Sequence, residues 1–140
     1  MLGLLATLLS CTGVPRSGFK AGFDQATEYF GDQFEFYYVP SAGWIADREF
    51  VKLSPRGQPS ADAHRLAALL REGETRLTRI AVYCPSSAKM AAIVDNAIYL
   101  NRDRQMPHLE LLYLGEASFG HTLHQPLEAV GARLYQSAPQ

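Results

Sequence analysis

Two short and almost unbroken apolar runs constrain this chain more than any other feature. They are Ile80-Ala81-Val82-Tyr83 and Leu109-Glu110-Leu111-Leu112-Tyr113-Leu114. Runs of four to eight such residues between turn signals predict buried strands over Leu77–Cys84 and His108–Leu114. Between them, Met90, Ile93, Val94, Ala97 and Ile98 recur at helical spacing. Ser86 or Ser87 is placed to cap that helix, which runs into the polar stretch Asn101-Arg102-Asp103-Arg104. A second helix precedes the first run: Pro59 and an N-cap at Ser60, then Ala63, Leu66, Ala67 and Leu70, stopped by Gly73. Helices alternating with buried strands predict an α/β two-layer sandwich with right-handed crossovers.

The flanks add elements at both ends. Phe23, Ala26, Thr27 and Phe30 predict a helix over Lys20–Phe30, ended by Gly31. Phe34 to Val39 is aromatic and β-rich, and Pro40 closes it. Alternation puts Phe34, Phe36 and Tyr38 on one face and Glu35 and Tyr37 on the other. Tyr37, with Trp44 beyond the Ser41-Ala42-Gly43 turn, is therefore the candidate contact surface. Trp44-Ile45-Ala46 and Phe50-Val51-Lys52-Leu53 predict a second extended stretch pairing with the first. After the third strand come a loop over Gly115–Gln125, a helical turn at Pro126–Val130 and a last strand over Ala132–Gln136.

The N-terminus reads as an address. Leu2 to Leu9 is uncharged and too short to span a bilayer, which takes about 20 helical residues. It fits the apolar middle of a secretory signal. Leu8-Leu9-Ser10-Cys11 resembles a bacterial lipobox, in which a small residue precedes a cysteine that is diacylated and then becomes the N-terminus. Leu9 is bulkier than the residue usual there, and no Lys or Arg precedes the run. The competing reading is a first core helix over Leu4–Leu9, ended by Gly13 and Pro15. The lipobox divides the chain into a signal and lipidation site (1–11), a tether (12–19) and a single α/β domain (20–140). It implies a lipoprotein of the bacterial outer membrane that faces the periplasm and is held in the membrane by lipid on Cys11. With 13 basic and 14 acidic side chains and no basic stripe, the chain lacks the footprint of a nucleic-acid binder.

Residues 50–136 resemble the OmpA-like domain in pattern. Phe50-Val51-Lys52-Leu53-Ser54-Pro55-Arg56-Gly57 is similar to the end of that family's first strand and its helix entry. Ala67 to Glu72 and Arg79 to Tyr83 resemble its first helix and second strand. Met90-Ala91-x-x-Val94-x-x-x-Ile98 resembles its second helix, and Leu109 to Glu116 the strand and corner that follow. The resemblance implies the order strand-helix-strand-helix-strand-strand, here with an extra N-terminal helix and strand. The family grips the peptidoglycan peptide with an Asp and an Arg. This chain has Cys84-Pro85-Ser86-Ser87 and Met90 at those positions, from which no carboxylate-to-cation clamp can be made. Lys89 is adjacent, but about 100° round the helix. Binding to peptidoglycan is therefore not expected. Related degenerate domains, such as those of CpaD-like pilus lipoproteins, imply a protein assembly of the envelope as partner.

Cys84 is the one residue that suggests catalysis. It ends a strand before a helix N-terminus, where backbone N–H groups can stabilise a thiolate. Its loop resembles a rhodanese active site, with Asp47-Arg48-Glu49 similar to an upstream motif of that family. However, Pro85 removes one N–H donor, and the loop lacks the family's glycine and arginine. A glutaredoxin-like reading fails because the cysteine does not open an early helix, and Cys11 has a better role than a disulfide to Cys84. His121 and His124, with Glu116 as a third ligand, could form a metal site only if they share a helical face. The surrounding Gly115, Gly120 and Pro126 predict a loop with surface histidines, and His64 and His108 stand alone. No cofactor or metal is expected. The expectation is a non-enzymatic interaction module; the alternative is a sulfurtransferase or thiol enzyme using Cys84.

Overall fold

The computed structural model describes residues 16–54 and 58–138. The Leu2–Leu9 run, Cys11 and residues 12–15 lie outside the described residues. The chain forms α1 (Arg16–Phe30), β1 (Glu35–Tyr38), α2 (Trp44–Lys52), α3 (Ala61–Leu70) with a 3-10 turn (Arg71–Glu74), and β2 (Thr78–Tyr83). Then follow α4 (Ser87–Leu100), β3 (Leu109–Leu114), α5 (Ala117–His121), α6 (His124–Ala129) and β4 (Arg133–Ser137).

The four strands form one parallel sheet in the order β1-β2-β3-β4. Since each strand is laid beside its predecessor in one direction, right-handed crossovers put all the connecting helices on the same face. That face carries the larger core: Leu66 and Leu70 of α3, Met90, Ile93, Val94 and Ala97 of α4, and Leu127 of α6 pack on Ile80, Val82, Leu111 and Tyr113. Among the described residues, the opposite face is closed by α1 alone. Phe36, Ala81, Leu112 and Tyr135 lie side by side across the strands. Phe19, Phe23, Ala26 and Phe30 of α1 pack against that face.

The approach is close. A Cβ on Gly22 would stand 2.7 Å from Cδ2 of Tyr83 and 3.2 Å from Cζ of Phe36. Gly31, at φ 78°, ends α1, its N–H donating to the Thr27 carbonyl at 2.8 Å. Helices thus cover both faces, in three layers rather than the two expected.

Ser60 caps α3 through the Ala63 N–H, and Ser86 caps α4 through the Lys89 N–H, as their positions predict. Three expectations are corrected. The extended stretch over Trp44–Leu53 is helix α2 with its C-terminal cap, so among the described residues β1 pairs only with β2. The reason is that its apolar residues do not line an inner face: Asp47 is buried and Phe50 half-buried, while Trp44, Ile45, Val51 and Leu53 point outward. The segment similar to the first OmpA-like strand is therefore largely helical. The loop over Gly115–Gln125 contains α5 and the start of α6. Residues 16–19, assigned to the tether, form the first turn of α1.

Candidate functional site

In open α/β sheets, ligands gather at the carboxyl ends of the strands, where neighbouring crossovers diverge to opposite faces and open a crevice. Here the crossovers never diverge, so the sheet order supplies no such crevice. The carboxyl end is instead filled by side chains that bond to one another.

Asp47 is its centre. One turn into α2, its carboxylate accepts hydrogen bonds from the Ser41 hydroxyl, from the Ala42 N–H at 3.0 Å and from Lys89 Nζ at 3.1 Å. Lys89 reaches it from the first turn of α4, also donating to the Pro40 carbonyl at 3.4 Å and lying 5.2 Å from the centre of the Phe50 ring. Both side chains are more than nine-tenths buried. Burial by itself would raise the Asp47 carboxyl pKa. The hydrogen bonds from Ser41 and Ala42, and then the bond and charge of Lys89, outweigh burial and hold it below the ordinary value. The cluster ties the β1–α2 corner to the start of α4. Sequence reasoning set both residues aside, Asp47 as part of a rhodanese-like motif and Lys89 as misplaced for a clamp. Forty-two positions separate them, and no local pattern announces the pair.

Cys84 follows β2 and is wholly buried in the larger core, as a free thiol. Burial is the main cause that pushes its pKa up to about 11, against the opposing influence of the Ser86 N–H and the Lys89 charge. At neutral pH on the order of 10⁻⁴ of such a thiol is ionised. Pro85 is exposed beyond it. The adjoining loops are joined by the Tyr113 hydroxyl, which donates to the Ser87 carbonyl at 2.7 Å, and by the Glu116 N–H, which donates to Ser87 Oγ at 3.0 Å.

The two proposed contact residues separate. Trp44 is 74% exposed at the start of α2. Tyr37 is half-buried: its hydroxyl donates to the Asp62 carbonyl at 3.0 Å, under the first turn of α3. Burial first, and then the Asp62 charge, push its pKa up to about 12. Tyr37 is thus a strut between β1 and α3 rather than open surface. On the α1 side of the same strand, the Tyr38 hydroxyl is buried with no hydrogen-bond partner among the described residues.

His121 and His124 lie with ring centres 5.5 Å apart, both exposed on the turn from α5 to α6. No group of three His, Cys, Asp or Glu side chains among the described residues is placed to hold a metal ion. Met90, at the position where the OmpA-like arginine is expected, is wholly buried in the core. No helix among the described residues is long and apolar enough to cross a membrane.

The remaining feature of this end is open. Trp44, Val51, Pro85 and Ala88 line a groove of about 490 Å³ between α2 and the start of α4, together with Arg48 and Lys52. No protein-family model, curated protein or solved structure matches the chain.

Proposed function

We propose that the chain is a non-enzymatic envelope lipoprotein: anchored through Cys11 in the bacterial outer membrane, it presents a rigid α/β domain to a protein assembly on the periplasmic side. The observation that carries the non-catalytic part is the fate of the reactive groups at the carboxyl end of the sheet. The thiol of Cys84 is enclosed and protonated, and Asp47 and Lys89 neutralise each other inside the protein. A sulfurtransferase on Cys84 would need an open, donor-lined cradle, which a wholly buried thiol lacks.

The anchoring part rests on Leu8-Leu9-Ser10-Cys11 behind an apolar run. The test is fractionation of cells carrying the full chain or its Cys11→Ala variant, with a metabolic lipid label. Wild type should take up label and sediment with outer membranes, while the variant does neither. A variant that stays in membranes, beside an unlabelled wild type, rules the anchor out. Cross-linking in the envelope followed by mass spectrometry then identifies the assembly.

A further inference from the structure

Six large apolar side chains are exposed among the described residues, and four of them, Trp44, Ile45, Val51 and Leu53, belong to α2 and its C-terminal cap. Trp44, Ile45 and Leu53 are 74%, 61% and 73% exposed. A helix that turns an aspartate inward and a tryptophan outward is amphipathic in reverse, and its outer face needs a partner.

The position of the tether suggests which partner. Helix α1 starts at the same end of the sheet: a Cβ on Gly18, in its first turn, would lie 4.0 Å from Cγ of Pro85, and Pro85 lines the groove beside Trp44. Cys11 is five residues before Arg16. Five residues of extended chain reach at most about 18 Å. If Cys11 carries lipid, this end of the domain cannot move further than that from the bilayer, and the helix with the largest share of exposed apolar side chains lies at the same end.

The side chains suit an interface. Tryptophan prefers the headgroup level of a membrane. Arg48 and Lys52 flank Trp44 and Val51 in the groove and favour anionic headgroups, with Glu49, 3.8 Å from Lys52, offsetting part of that charge. The geometry points to α2 as a membrane-contact surface: the anchored domain lies with Trp44 and Ile45 at the headgroups of the leaflet that holds the Cys11 lipid. The inference rests on the anchor proposed above.

Trp44 is the only tryptophan in the chain, so its fluorescence reads this surface directly. The full chain is purified from bacterial membranes, its lipid is checked by mass, and it is reconstituted in phosphatidylethanolamine–phosphatidylglycerol vesicles with and without brominated acyl chains. The expected result is a blue-shifted emission that brominated lipid quenches and acrylamide does not reach. Arg48→Gln should lower the ratio of quenchable to unquenchable Trp44 about fivefold in anionic vesicles, the contribution of one basic side chain near such a surface. Lipidated protein whose Trp44 stays open to acrylamide and untouched by brominated lipid overturns the contact surface and leaves the anchor standing. A Cys11 without lipid overturns the anchor, and the contact surface with it. Trp44 already shielded in the Cys11→Ala chain without vesicles overturns the contact surface too, because residues 2–9 or a second copy then cover it.

Discussion

Replacing Lys89 by methionine isolates the role of the buried ion pair. The substitution keeps most of the side-chain volume and removes only the ammonium, which donates to Asp47 Oδ1 at 3.1 Å and to the Pro40 carbonyl at 3.4 Å. What remains is a carboxylate at 4% exposure that still accepts from Ser41 and from the Ala42 N–H. Removing one partner of a buried pair costs about 3–5 kcal/mol, and the two surviving donors place the loss near 3 kcal/mol. With a urea slope of about 2 kcal/mol per molar, the unfolding midpoint should fall by roughly 1.5 M at pH 7.

The pH dependence carries a second signature. The folded pKa of Asp47 is depressed, so its stabilising contribution is fully present above the ordinary carboxylate pKa of about 4 and is lost as pH falls through the folded value. Without Lys89 the depression shrinks and burial tends to raise the pKa. The difference in stability between wild type and Lys89→Met should therefore narrow as pH drops from 7 towards 4. Adding Asp47→Asn to Lys89→Met removes the stranded charge and should restore part of the midpoint. Urea titrations followed by circular dichroism at both pH values test all three statements. A midpoint shift below about 0.3 M, or a gap that does not change with pH, refutes the account of the cluster as an interior charge pair.

Other perturbations probe separate features. Cys84 should react slowly with a thiol reagent until denaturant is added, and the protein should show no thiosulfate sulfurtransferase activity; rapid labelling with a thiol pKa near 6 would restore the enzyme reading. Sedimentation with purified sacculi should leave the protein in the supernatant, and saturable co-pelleting would show that other residues replace the missing Asp and Arg. Gly22→Ala should lower stability by about 1–3 kcal/mol, because its methyl group overlaps the Tyr83 ring, while an unchanged thermal midpoint would mean that α1 lifts freely from the sheet.

The central elements were legible because one-sided burial writes a period into them. Ala63, Leu66, Ala67 and Leu70 face the sheet, and β2 and β3 are apolar on both faces because helices cover both. Helix α2 was illegible for the opposite reason. Its inner position holds Asp47, satisfied by a lysine 42 residues away, and its apolar residues point out, so the spacing reads as a short β stretch. Tyr37 was misjudged on similar grounds. Alternation separates its face from that of Phe36, but cannot say that α3 comes to lie over both β1 and β2. At the site, Trp44 was legible as a candidate contact residue but was assigned to an extended stretch, whereas it opens helix α2. The Asp47–Lys89–Ser41 cluster was not, since it depends on three segments meeting at one end of the sheet.

The monotonic strand order has a consequence for how the domain comes apart. Among the described residues no strand is inserted between two earlier ones, so β4 is an outer margin of the sheet, although Leu123, Leu127 and Val130 before it are buried in the larger core. The strand β4 is half-exposed along its length, whereas β2 and β3 are almost entirely enclosed. Opening can then proceed inward from that margin as a series of nested, still-contiguous sheets, each retaining the α1 layer over β1 and β2. Such a domain can loosen one border to adapt to a neighbour while the corner that carries α2 and the start of α1 stays closed.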